Sequence, residues 1–118
     1  MTTTTPDLST LQQAIENRDA TGVMAWYTDD AVVTLVDRDH PPANPTVLTG
    51  TTEISSYYSE ICGRNIDHRL DHIVADATGL AYVQLCRYPD GARVTCATVA
   101  ELSGGRISRQ TIVQAWDS

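Results

Sequence analysis

Two histidines four residues apart, His68 and His72, are where residue type and spacing in this chain first suggest chemistry. An imidazole titrates near neutrality and can both take and give a proton, worth roughly 10²–10⁴-fold in rate when well placed. On a β-strand side chains alternate, so His68, Leu70, His72 and Val74 would share one face, and Asp67, Arg69, Asp71 and Ile73 the other. The first set is the more apolar apart from its histidines and is expected to face the interior. Burial there disfavours the charged ring and leaves His68 neutral, ready as a base, unless a carboxylate such as Asp37 holds it charged. The plainer alternative, that both are satisfied core or wall histidines, stays open. A metal is not expected. A third ligand would have to come from Asp37 or the loop residue His40, and no recognisable ligand spacing is present.

The segment that must position these rings is Ile66–Trp116. It reads as four strands joined by three tight turns, Asp76-Ala-Thr-Gly79, Pro89-Asp-Gly91 and Ser103-Gly-Gly105. The runs between are rich in Val, Ile, Thr and Tyr, which suit a pleated, half-buried surface. Links this short require antiparallel neighbours, because a parallel crossover needs a dozen or more residues. Ahead of the meander, residues 1–4 are expected to fray. Thr5-Pro6-Asp7 reads as a helix start, and Leu8, Leu11, Ala14 and Ile15 continue it to about Asn17. Asp19 can cap a second helix over Ala20–Tyr27, and Ala31–Asp37 reads as a strand after a solvated Asp29-Asp30 turn. Residues 38–49 hold three prolines and are expected to be a loop over a pocket mouth. Gly50-Thr-Thr-Glu53 opens a third helix, whose Ile54, Tyr57, Tyr58, Ile61 and Cys62 recur at helical spacing up to Gly63. The layout is α+β, with helices packed on one face of a curved sheet, and a pocket belongs at the mouth of that cone.

Composition bounds the partners. The 118 residues make one domain, 1–118, with 42% hydrophobic content and a net charge of −7. That charge and the lack of a basic run argue against nucleic acid. No apolar stretch approaches the roughly 20 residues of a membrane span. The N-terminal Met-Thr-Thr-Thr-Thr lacks the regions of a signal peptide, and Cys62, Cys86 and Cys96 lack metal spacing and any visible activating context. The cysteines are therefore expected to be reduced, small, buried hydrophobes of a cytoplasmic protein.

The segments Ile15-Glu-Asn-Arg-Asp-Ala-Thr-Gly-Val23, Tyr27-Thr-Asp-Asp-Ala31, Gly50-Thr-Thr-Glu-Ile54 and Gly105-Arg-Ile-Ser-Arg-Gln110 resemble the nuclear transport factor 2-like superfamily. Within it they look most like the SnoaL-like group of polyketide cyclases, ketosteroid isomerases and scytalone dehydratase. The resemblance implies a cystatin-like cone: a curved antiparallel sheet, made of the four-stranded meander plus one N-terminal strand, closed by three helices. It also implies which strand faces look inward. These carry Val33, Leu35 and Asp37; Ala81, Val83, Leu85 and Arg87; Cys96, Thr98, Ala100 and Leu102; and Gln110, Ile112, Gln114 and Trp116. His68-Arg-Leu-Asp-His72 is similar to a His-x-x-x-Asn pattern in which the first histidine lines the pocket, with His72 here in place of Asn. Tyr27 and Tyr58 match tyrosines of a hydrogen-bonded network in ketosteroid isomerases. The oxyanion tyrosine and two aspartates of that machinery fall at about Leu11, Leu35 and Ala100, all apolar, so Asp37 is the candidate replacement base. Arg69-Leu-Asp71 mimics an Arg-x-Asp triplet of limonene epoxide hydrolase but is read as an exposed charged surface.

The expectation is a cofactor-independent isomerase, cyclase or dehydratase. It would act on a small, largely apolar carbonyl or hydroxyl compound by proton abstraction and return. Its catalytic candidates are His68, His72 and Asp37, and its binding candidates Tyr27, Tyr58, Arg87, Gln110, Gln114, Trp26 and Trp116. For Arg87 and the glutamines a place at the solvated rim, and for the tryptophans plain packing, are open alternatives. The alternative for the whole chain is a non-catalytic small-ligand-binding or dimerisation module. By resemblance the chain forms a homodimer through the outer sheet face, where Arg109, Thr111 and Val113 are suited to contact. A filled interior, without roughly 300 Å³ of space beside His68, would favour the non-catalytic reading.

Overall fold

A computed structural model describes residues 7–117, so the expected fraying of residues 1–4 and the Thr5-Pro6 portion of the helix start lie outside the described residues. Helix α1 spans Ser9–Glu16 and buries Leu11, Ala14 and Ile15. The Glu16 carboxylate accepts the backbone N–H of Leu70 at 2.9 Å, which ties this helix to the sheet. Helix α2, Ala20–Met24, is capped by the Asp19 carboxylate, which accepts the Gly22 N–H at 3.1 Å. It ends before the expected Tyr27, because Tyr27 already belongs to strand β1, Tyr27–Val36. Asp29 and Asp30 are exposed positions of that strand and not a separate turn.

The proline-rich stretch ends sooner than expected. Thr46–Thr49 forms a short strand, β2, pairing antiparallel with Val32–Leu35 of β1. Once Pro45 is passed nothing blocks pairing, and Thr-Val-Leu-Thr is a β-prone run. Helix α3 spans Gly50–Gly63, and Glu53 reaches back to accept the Thr49 N–H at 2.8 Å, as its spacing indicates. The meander follows as β3 (Asp67–Ala75), β4 (Gly79–Arg87), β5 (Arg93–Ser103) and β6 (Arg106–Trp116). All three turns form where the sequence puts them. The Asp76 carboxylate accepts the N–H groups of Thr78 and Gly79, and Gly104 and Gly105 both take the positive φ of a two-residue hairpin turn.

The sheet order is β2-β1-β6-β5-β4-β3, with β1 parallel to β6 and every other neighbour antiparallel. The architecture of the described residues is α+β: an open, curved, six-stranded mixed sheet with three helices. The expected five strands become six through β2. The core lies between helices and sheet, around Leu11, Val23, Val33, Ile54 and Ile107. Among the described residues no helix is long and apolar enough to cross a membrane.

One irregularity decides which side chains meet. In β3 the register slips between Asp71 and Val74, and His72 takes φ +50. Near the turn, Ala75 pairs with Leu80 and Val74 with Ala81; beyond the slip, Leu70 pairs with Gln84 and His68 with Cys86. His72 is the extra residue of a β-bulge, and one extra residue reverses the alternation of everything past it. His68 and Leu70 are buried, whereas His72 and Val74 are exposed. The expectation that these four share a face is corrected accordingly. On β4, whose pairing with β5 is uninterrupted, Leu80, Tyr82 and Cys86 lie opposite the buried Ala100, Thr98 and Val94 and are the buried set, and Leu85 and Arg87 are exposed. The inward set inferred for that strand is therefore its outer one. On β1, β5 and β6 the inferred inner faces hold: Val33, Leu35, Cys96, Thr98, Ala100, Gln110 and Ile112 are all buried.

Candidate functional site

Cross-strand partners on a sheet share a face, so the pairs His68–Cys86 and Gln84–Cys96 place two thiols, an imidazole and an amide together on the inner side. The Gln84 Nε2 amide lies 3.0 Å from His68 Nδ1, and the Cys86 sulfur lies 3.3 Å from the same nitrogen. An amide nitrogen only donates, so Nδ1 is the accepting nitrogen, and the proton of the neutral ring sits on Nε2. His68 is 6% exposed, and its Nε2 has no hydrogen-bonding partner among the described residues. The Cys86 thiol is held below the usual thiol range, first by the adjoining Cys96 thiol and then by His68 and Gln84, against the opposing effect of burial. Cys96 is pushed up by the same Cys86 contact and by burial.

These groups line a cavity of about 50 Å³ closed by Tyr57 and Tyr58 of α3 and by Tyr88 and Trp116. The Tyr88 and Trp116 rings sit 5.4 Å apart, and the Arg38 guanidinium lies 4.4 Å over Trp116. The stretch after β1 thus touches the pocket rim through Arg38. Trp116 Nε1–H donates to Gln114 at 3.2 Å, and Gln114 also lines the cavity. The space is far below the several hundred Å³ usual for small-molecule sites.

Deeper in the core, the Tyr27 and Tyr58 hydroxyls are 2.7 Å apart, and Tyr27 donates to Gln110 Oε1. Burial drives both tyrosines well above the ordinary phenol value, so they remain neutral donors. Burial likewise raises Tyr82, to about 12. Gln110 is 1% exposed, and its Nε2 has no partner among the described residues.

Of the residues expected at the site, His68, Tyr58, Gln114 and Trp116 line the inner cavity, with Tyr27 and Gln110 in the network behind Tyr58. Four do not come to it. His72 is 78% exposed on its side chain because of the bulge. Asp37 is engaged in a local turn, where its carboxylate accepts the Asp39 N–H and the His40 N–H and meets the His40 ring at 2.9 Å. Partial burial works to raise the Asp37 pKa, but those hydrogen bonds prevail and lower it. Arg87 is outward, beside an open groove of about 620 Å³ that also borders Arg69, Leu85, Arg93 and Thr95. Trp26 packs on the periphery of the core and borders a shallow hollow between α1 and α2. The outer groove is larger than the inner cavity, but its polar side chains are solvated, and among the described residues the buried, unsatisfied side-chain groups, His68 Nε2 and Gln110 Nε2, are on the inner side. Gln84, Cys86, Tyr57 and Tyr88 are the residues that sequence reasoning passed over. For Gln84 and Cys86 the missing signal was the register past the bulge.

Among the described residues no group of three or more His, Cys, Asp or Glu side chains is arranged to hold a metal ion.

Comparison with solved structures returns the same architecture. A candidate ketosteroid isomerase from Kribbella flavida DSM 17836 is 17% identical, with 92% of this chain and 73% of that one covered at a TM-score of 0.74. An NTF2-like protein of unknown function from Mesorhizobium loti is 12% identical, with coverage of 89% and 84% at a TM-score of 0.77. An uncharacterised protein with a cystatin-like fold from Silicibacter pomeroyi DSS-3 is 14% identical, with coverage of 92% and 72% at a TM-score of 0.73. At these identities the likeness concerns the fold alone. No curated protein matches the chain. The model of the SnoaL-like domain matches residues 9–110, which is most of the sequence. The chain therefore belongs to the SnoaL-like family.

Proposed function

We propose that the chain binds a small, largely apolar molecule bearing a carbonyl or hydroxyl group on the inner face of the sheet, where the Nε2–H of His68 donates a hydrogen bond to that oxygen and polarises it. The observation that carries this reading is the buried Nε2–H of His68, which has no partner among the described residues. A buried donor left unsatisfied costs about 1–3 kcal/mol, and a ligand oxygen is the acceptor that relieves it. Gln84 fixes the tautomer from the Nδ1 side. Nε2–H then donates a hydrogen bond to the ligand oxygen and stabilises negative charge that develops there. Gln114 and the tyrosines supply further hydrogen bonds, and apolar residues such as Ile61, Ile66 and Ile112 surround the molecule. A molecule of more than a few heavy atoms needs more room than about 50 Å³, so Trp116 and Tyr88 must swing aside to admit it. The candidate ketosteroid isomerase among the structural neighbours is consistent with isomerase-type proton transfer.

The test is titration of the isotope-labelled protein with small cyclic ketones and phenols, followed by NMR. Saturable shifts concentrated at Tyr57, His68, Gln84 and Gln114 are expected. Shifts confined to the outer groove, or none at all, would contradict the reading.

A specific observation favours a second reading: the interior is nearly filled. In that case the chain is a dimerisation module whose outer sheet face carries the contact. Val74, Val99 and Val113 are 63%, 64% and 48% exposed, an apolar stripe across β3, β5 and β6 suited to a second copy.

A further inference from the structure

We propose that Cys86 is a peroxide-oxidisable thiol: His68 removes its proton, and hydrogen peroxide admitted to the inner cavity converts the sulfur to a sulfenic acid. Three features of the fold converge on this sulfur. Register places it opposite His68, 3.3 Å from an Nδ1 that the Gln84 amide marks as the accepting nitrogen, so the ring is positioned to receive the thiol proton. The same amide lies 3.6 Å from the sulfur and stabilises it once it is charged. The cavity is about 50 Å³, room for one or two water-sized molecules. Hydrogen peroxide has that size, so it needs no opening of the Tyr88–Trp116 rim. Cys86 also borders the outer groove, which is open to solvent.

The step balances within the site. The Cys86 proton passes to His68 Nδ1, and the thiolate attacks one peroxide oxygen. The S–O bond forms as the O–O bond breaks, and the departing hydroxide takes the proton from His68 and leaves as water. Sulfur loses two electrons and the peroxide gains them. Cys96, diagonal to Cys86 on the adjoining strand, is the thiol placed to condense with the sulfenic acid, forming a disulfide and a second water. The lowered pKa of Cys86 agrees with this geometry.

Cys62 supplies an internal control. It is half-buried on α3, more exposed than Cys86, and burial and Asp19 push its pKa up. Accessibility alone therefore ranks Cys62 as the faster thiol, and the dyad ranks Cys86 first. The inference is independent of any carbonyl ligand, because the oxidation needs hydrogen peroxide alone and the link to Cys96 reports it without dimedone.

The experiment treats the native protein with hydrogen peroxide in the presence of dimedone and maps the products by peptide mass spectrometry. Modification at Cys86, as the dimedone adduct or as a reducible link to Cys96, is expected about tenfold or more faster than modification at Cys62. A His68→Gln variant should lose that advantage, and the wild-type ranking stands as evidence even if the variant does not fold. Equal rates, Cys62 reacting first, or Cys86 reacting only after unfolding in urea would overturn the proposal.

Discussion

His68 and Cys86 face each other across β3 and β4, with Nδ1 3.3 Å from Sγ, because a single residue, His72, is diverted into a bulge. The strain is local and visible: His72 holds φ +50, in the left-handed region, with its N–H donated to the Asp71 carboxylate at 2.9 Å. Glycine adopts that backbone freely, whereas a β-branched residue does not. His72→Gly is therefore expected to be at least as stable as the wild type, and His72→Val less stable by about 1–2 kcal/mol. Urea denaturation measures both. Equal loss in the two variants would mean that the bulge is not held at this residue.

The Tyr27 hydroxyl is the middle of a three-membered chain, Tyr58–Tyr27–Gln110. Removing it in Tyr27→Phe leaves two buried partners unsatisfied, at about 1–3 kcal/mol, whereas Tyr58→Phe removes an end and costs about 0.5–1.5 kcal/mol. The order of the two losses in denaturant midpoints is the checkable point. A larger loss in Tyr58→Phe would contradict the assignment of the centre.

Asp37 gives a pH dependence whose sign follows from its lowered folded-state pKa. Its ordinary value is 3.8, so its charge stabilises the fold above that pH and ceases to do so as pH falls through the folded value. Asn can keep the neutral hydrogen bonds but not the charge. The stability gap between wild type and Asp37→Asn is thus expected to be constant near neutrality and to shrink below about pH 4. A gap that widens on acidification would show the opposite shift.

The apolar outer stripe predicts self-association. Val99→Glu and Val113→Glu put a charge at exposed β5 and β6 positions and leave the inward core untouched. Light scattering is expected to give a dimer for the wild type and a monomer for the variants, with thermal stability otherwise unchanged. A monomeric wild type would remove the dimer from the account.

Much of the architecture was legible in the chain. The meander follows from three turn sequences that work as written, with Asp76 capping its own loop and Gly104-Gly105 closing the last hairpin. α3 follows from the spacing of Ile54 and Tyr58 and from Glu53. β2 was hidden because the prolines ahead of it dominate the window, although Thr46–Thr49 alone is strand-like. The site was half legible. His68 turned inward as alternation required, but alternation counted back from the Asp76–Gly79 turn without an interruption sets Arg87 opposite it and keeps His72 beside it. A bulge leaves no mark in composition: His72 is neither Gly nor Asn, so nothing flagged a positive φ. That one omission hid the exposure of His72 and the pairing of His68 with Cys86, and Arg87 points outward because β4 pairs with β5 in unbroken register. Asp37 failed for a different reason. A carboxylate at a strand end, followed two and three residues later by free N–H groups, satisfies them first.

The most direct measurement is the nitrogen-15 spectrum of the three imidazoles during titration with a small cyclic ketone. His68 is expected to be protonated at Nε2 in the free protein, with an Nε2 resonance that moves saturably with ketone. The exposed rings of His40 and His72 should stay still. A His68 resonance protonated at Nδ1, or one indifferent to ketone while the protein remains folded, would contradict it.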